Sequence, residues 1–181
     1  MSLTPPQIAV LKQALFAETD PTFVSYRNSG AVGAMQDWYN APGTFVAWRT
    51  LTHTSALMDA IVWANLTPTD AADLTQSWAN RSLSCQGKQF NLQLMIGGRD
   101  SLPTGKVNIR NGLQDALSNV PSGASGALMS AGWTAVRTAM QQFASRAETL
   151  YATGTGTATT PGVLVLDGAI DTYDVIQAYT Q

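Results

Sequence analysis

The chain has one cysteine, Cys85, and one histidine, His53, among 181 residues. A lone cysteine excludes an internal disulfide framework, and one histidine with one cysteine offers no zinc-ligand spacing. Charge is scarce as well: Asp, Glu, Lys and Arg make up 12% of the residues, about half the usual share for a soluble domain. Hydrophobic residues nevertheless reach 45%, so the chain is not of the apolar-poor, highly charged kind that stays disordered. Ten basic residues stand against twelve acidic ones, a net charge of −2. Without a basic stripe, binding to nucleic acid through phosphate neutralisation is not expected. No stretch approaches the ~18 apolar residues of a membrane-spanning helix, and the first six residues contain no basic region leading into an apolar run, so no secretory leader is expected. The glycosylation-like triplets Asn65-Leu66-Thr67 and Asn80-Arg81-Ser82 therefore read as chance matches. A sparsely charged exterior suits a chain that buries part of its outside against neighbours.

What is present is helical periodicity. Thr4 as cap, Pro5 at the first helical position, and Ile8, Leu11, Leu15 and Phe16 at helical spacing predict a first helix ending near Glu18. Asp20-Pro21 repeats the signal for a short helix broken at Asn28-Ser29-Gly30, and a third helix covers about 31–39. Residues 44–50 read as an extended link or a brief strand. Further helices are expected at about 55–65, from Thr67-Pro68 through Met95 to a stop at Gly97-Gly98, at 104–119, and at 128–143, with a loop over 121–126. Ser145 with Glu148 reads as a capping box opening a short helix. The run 153–162, Thr-Gly-Thr-Gly-Thr-Ala-Thr-Thr-Pro-Gly, reads as a flexible linker. Val163-Leu164-Val165-Leu166 is the clearest β run, Asp167-Gly168 a turn pair, and Asp171 with Asp174 caps a last helix.

The expected fold class is thus mainly α: a helical body over 1–152, the linker 153–162, and a β-hairpin-like tail over 163–181. A short hairpin is not stable alone in water, so its strand is expected to pair with its own body or with another chain.

No pattern for chemistry stands out. His53 lacks a nucleophile-elbow motif or an orienting acid and reads as a helix-start residue, and Cys85 as a small buried apolar side chain. Asp70 and Asp73 suit the positive end of a helix. Gly154 and Gly156 lack the Lys and the preceding strand of a phosphate loop. Of the five tryptophans, two or three are expected in the core and others at an interface. No catalytic residue, cofactor or metal site is expected.

Several stretches together resemble a family of small virion proteins encoded among the structural genes of tailed bacteriophages. They are Val46-Ala47-Trp48-Arg49-Thr50, Asp59-Ala60-Ile61-Val62-Trp63, Asn108-Ile109-Arg110-Asn111-Gly112-Leu113, and Ser145-Arg146-Ala147-Glu148 with Leu150-Tyr151-Ala152-Thr153-Gly154-Thr155-Gly156-Thr157. Leu164-Val165-Leu166-Asp167-Gly168 followed by Asp174-Val175 matches that family's ending. The resemblance runs from about residue 44 onwards, and its best match is a head-to-tail connector or adaptor of the virion neck. It implies a ring, commonly of twelve copies, beneath the portal protein, meeting a tail or terminator protein below. DNA passes through the lumen without sequence-specific binding, no membrane is involved, and synthesis is in the host cytoplasm. Portal docking is then expected through Val163, Leu164, Val165, Leu166, Asp167, Gly168, Ala169 and Ile170, with the strand completed on the partner. Removing residues 153–181 is expected to leave a folded helical body. A tail terminator or stopper and a head decoration protein are rival stations. A monomeric small phage hydrolase with a cleft of convergent ionisable groups is the rival of another class.

Overall fold

The computed structural model describes residues 2–66, 83–122 and 127–180. In chain order the described elements begin α1 (Pro5–Ala17), α2 (Pro21–Ser29), α3 (Val32–Asn40), β1 (Pro42–Trp48), β2 (Thr52–His53), α4 (Thr54–Ala60) and α5 (Trp63–Leu66). Next come α6 (Leu83–Ile96), β3 (Ser101–Leu102), α7 (Val107–Leu117), β4 (Val120–Ser122), β5 (Ala127–Met129) and α8 (Trp133–Ala139). The order closes with β6 (Gln141–Ser145), α9 (Arg146–Tyr151) and α10 (Thr172–Thr180). The strands pair two by two, β1 with β6, β2 with β3 and β4 with β5. The fold is mainly α, as expected.

The chain forms two compact units, one of residues 1–48 with 142–181, the other of residues 49–141. This partition replaces the expected body of 1–152 with a tail of 163–181: the tail belongs to the first unit.

In the first unit, local signals build the helices. Thr4 donates its backbone N–H to Gln7 Oε1 (2.9 Å) at the start of α1, and Asp20 accepts from Thr22 N–H (2.9 Å) at the start of α2. Gly30, at φ 66°, ends α2 in the left-handed region where a Cβ is disfavoured. Arg27 then does what no periodicity announces: its Nη1 donates to the carbonyls of Leu15 (2.9 Å) and Phe16 (3.1 Å), satisfying the open end of α1. Ile8, Leu11 and Leu15 of α1 pack with Phe23, Met35 and Tyr39, and with Leu166, Ile170, Val175 and Ala178 from the C-terminal segment. Phe16, expected on the apolar face, is 51% exposed and stacks on Tyr179 at 6.2 Å.

The closing contact is polar. The fully buried Asp174 carboxylate accepts Leu3 N–H (2.8 Å) and Asp171 N–H (3.1 Å), while Asp171 Oδ1 accepts Asp174 N–H (2.9 Å). A buried carboxylate is tolerable when donors surround it, and here the donors join the first turn of the chain to α10.

In the second unit, the expected helix over 55–65 breaks after Ala60. Val62 N–H bonds to Ala131 O (3.1 Å) instead of to the preceding turn, and a Cβ on Gly132 would lie 2.5 Å from Ala60 O. The 131–132 loop occupies the place where the helix would have continued. Two other expectations fail for similar reasons. Pro121 and Ser122, at the start of the loop expected over 121–126, pair with Leu128 and Ala127, and the helix expected over 128–143 is α8 followed by β6. The α6 end at Gly97-Gly98 is as expected, whereas Leu74, Trp78, Asp70 and Asp73 lie outside the described residues.

Deleting residues 163–181 removes Leu166, Ile170, Val175 and Ala178 from a packed core, and truncations of one such side chain already cost about 2–5 kcal/mol. Contrary to the sequence expectation, the truncated chain should lose the folded state of its first unit. Circular dichroism should show a helix loss well beyond the nine residues of α10, with a broadened thermal transition.

Candidate functional site

The expected docking segment is held by its own chain. Val163 exchanges both backbone hydrogen bonds with Thr153 (2.9 and 3.0 Å). Gly162 donates to Val46 O (2.8 Å) and accepts from Trp48 N–H (2.9 Å). Leu164 is half-buried and Leu166 is buried. Gly168 donates to Glu148 Oε1 (2.9 Å). Ile170 is buried; its N–H reaches Asn40 Oδ1 (2.9 Å), and its carbonyl accepts from Asn40 Nδ2 (2.9 Å) and Gln36 Nε2 (3.1 Å). The hairpin is therefore corrected to an irregular strap with single bridges, and its backbone partners are internal. What it offers outward is Val163 (41% exposed), Val165 (67%), Asp167, Gly168 and Ala169.

The Gly/Thr run is also corrected, from linker to clasp. Val46 N–H donates to Gly156 O (2.8 Å), and the Thr155, Thr157 and Thr160 hydroxyls bond among themselves. The glycines are there for space. A Cβ on Gly156 would fall 2.1 Å from the Phe45 ring, and one on Gly162 would fall 2.4 Å from it. Gly156 also sits at φ 67°. The ring thus lies against backbone on both sides, an arrangement that composition reads as flexibility.

Beside this clasp lies an open groove of about 760 Å³, all within the first unit, whose walls include Glu18, Tyr39, Phe45, Arg146, Leu150 and Thr155. Arg146 is placed by two contacts: its guanidinium lies 4.2 Å over the Trp38 ring, and Nη1 donates to Trp38 O (2.9 Å). Glu18 Oε1 accepts Thr19 N–H (2.8 Å) and Asp20 N–H (3.1 Å). The Tyr39 hydroxyl is pushed up to about 12 by burial first and by Glu18 second, with Arg146 and Arg27 opposing. Tyr151 is pushed up to about 12 by burial and by the Asp174 charge, and donates to Gln7 O (2.8 Å).

His53 is exposed at the N-cap position of α4, and Cys85 is buried with its Sγ 3.4 Å from Leu66 O. No group of three or more His, Cys, Asp or Glu is placed to hold a metal among the described residues. Of the four described tryptophans, Trp38 packs half-buried against the core of the first unit, Trp48 and Trp133 are half-buried, and Trp63 is exposed, where two or three of the five were expected in the core. Among the described residues no helix is long and apolar enough to cross a membrane. Comparison with protein-family models, curated proteins and solved structures finds no match. The groove escaped the sequence reading because its walls come from residues 14 to 156; the only local signal was Arg146 within the Ser145–Glu148 box.

Two outcomes follow. Gly156→Ala should destabilise the first unit by roughly 1–3 kcal/mol through overpacking against Phe45, and a Phe45→Ala background should remove most of that steric cost in a urea-denaturation double-mutant cycle. The second concerns alkaline pH. Tyr39 and Tyr151 are harder to ionise folded than unfolded, so the stability they contribute is fully present below pH ~10 and is lost as pH rises towards about 12. Tyr39→Phe should flatten the fall in urea midpoint over that window.

Proposed function

We propose that the chain is a structural subunit of a tailed-bacteriophage virion, a head-to-tail connector forming a ring beneath the portal, through whose lumen DNA passes without sequence-specific binding, and not a catalyst. One observation carries the reading: the stretches that resemble the phage family bond to one another or shape their unit, and where Arg146, Leu150, Thr155 and Gly156 among them line the groove they bring it a single ionisable side chain. Val46 pairs with Gly156, and Glu148 of the capping box holds Gly168 of the closing stretch. Arg110 donates to the carbonyls of Thr104 (2.8 Å) and Gly105 (2.7 Å) ahead of α7. A Cβ on Gly112 would lie 3.1 Å from the Met95 sulfur, so that glycine lets α6 and α7 approach closely. Ala60 and Val62 receive the loop at 131–132. These are the duties of a scaffold.

Portal docking by whole-strand addition is set aside, because Leu166 and Ile170 are core residues. In its place, the outward side chains of the strap, Val163, Val165 and Asp167, form the portal-facing edge. Ring copy number twelve, the tail-side terminator and the DNA-filled lumen belong to the same proposal.

The test is genetic. A phage carrying a stop codon early in this gene should accumulate DNA-filled heads and separate tails by electron microscopy, whereas normal joined particles would refute the reading. Val165→Asp, at a site 67% exposed, should stay within about 0.5 kcal/mol of the parent in stability yet lower the yield of joined particles.

A further inference from the structure

The groove beside the clasp is lined by residues other than the strap's outward side chains, and its chemistry is specific. Arg146 is the cation in its wall. The ion pair of Lys88 with Asp115 lies in the second unit, outside the groove. Stacking on Trp38 and one bond to Trp38 O fix the guanidinium plane while spending a single N–H, and the planar fork suits a carboxylate. Glu18 on the same groove disfavours a dianion such as phosphate and favours a ligand that brings an N–H donor as well as one negative charge. Phe45, Leu150, Ala14 and Ala17 supply apolar wall; Thr44 supplies a hydroxyl, and that of Thr149, which donates to Ser145 O (2.8 Å), is left as an acceptor. An open groove leaves much of an occupant in water, unlike the enclosing pockets that hold free small molecules.

We propose that this groove binds an extended segment of a partner protein carrying an Asp or Glu, its carboxylate on Arg146, its flanking aliphatic side chains on Phe45 and Leu150, and a backbone N–H towards Glu18. The Tyr39 hydroxyl stays protonated at neutral pH and adds no opposing charge. The inference rests on the groove alone and does not require the virion reading.

The test uses the full chain, isotopically labelled for NMR, titrated with the blocked pentapeptide acetyl-Ala-Val-Glu-Val-Ala-amide and its Gln counterpart. Saturable shifts of the Thr44, Phe45, Thr149 and Thr155 amides and of Arg146 Nε–H are expected with the Glu peptide, at least about fivefold tighter than with Gln. Arg146→Lys should weaken the Glu peptide towards the Gln value. Equal binding of both peptides, or no saturable shift, overturns the proposal. Acetate filling the site as tightly as the peptide would make it a free-anion site, and groove shifts on concentrating the chain alone would assign it to a second copy; either result overturns the proposal. The Glu–Gln comparison is made on the unaltered chain and stays readable if the variant misfolds. Failure of head–tail joining in the phage experiment bears on the neck role and not on this groove.

Discussion

The first unit depends on one buried carboxylate, that of Asp174. Asp174 has no exposure, and its two oxygens accept N–H groups from Leu3 and Asp171, the former 171 residues away in the chain. Removing a carboxylate from water is costly unless donors replace the water, so the pair forms only when α1 and α10 are both in place. Their packing in turn seats Tyr151 on Gln7 and lets Tyr179 reach the carbonyl of Arg27. The strap from 163 to 170 is drawn inward between these contacts, with Asn40, Gln36 and Glu148 taking its backbone groups. Closing so long a loop costs only logarithmically more than closing a short one, which is why one well-satisfied carboxylate and a modest apolar core suffice.

The clasp shows how glycine can order a chain instead of loosening it. In 153–162 the absence of a side chain at 156 and 162 is what admits the Phe45 ring between two backbone segments. Threonine hydroxyls then bridge within the turn, where a soluble linker would leave them to water. The same ring forms part of the groove wall, so the recognition surface and the clasp share one aromatic side chain.

Legibility in the sequence followed the range of the determining interaction. The caps at Asp20, Ser145 and Asp171, the Gly30 terminus of α2 and the Gly97-Gly98 stop of α6 are decided within four residues, and each was readable. The break at Ile61 was not, since the competing acceptor for Val62 N–H is Ala131. Residues 141–145 carry a helix-compatible pattern and become a strand because β1 is there to pair. The residues alone call for a partner to the 163–166 run, on its own body or on another chain, and the family resemblance points to another chain. The amides of Gln36 and Asn40 give no local sign that they face Ile170. For the groove, only Arg146 lay inside a recognisable motif; the surrounding walls arise from packing.

The first unit is built from two sequence segments, 1–48 and 142–181, while the second occupies the uninterrupted stretch 49–141. Synthesis on a ribosome is vectorial, and the two units meet it differently. The uninterrupted unit has all its residues as soon as residue 141 has emerged, whereas α1 must wait for α10 before its buried face is covered. Until then Ile8, Leu11 and Leu15 have only Phe23, Met35 and Tyr39 of their core partners to pack on, and the face that Val175 and Ala178 will cover stays exposed to solvent, the kind of transient apolar surface that makes aggregation a hazard during synthesis.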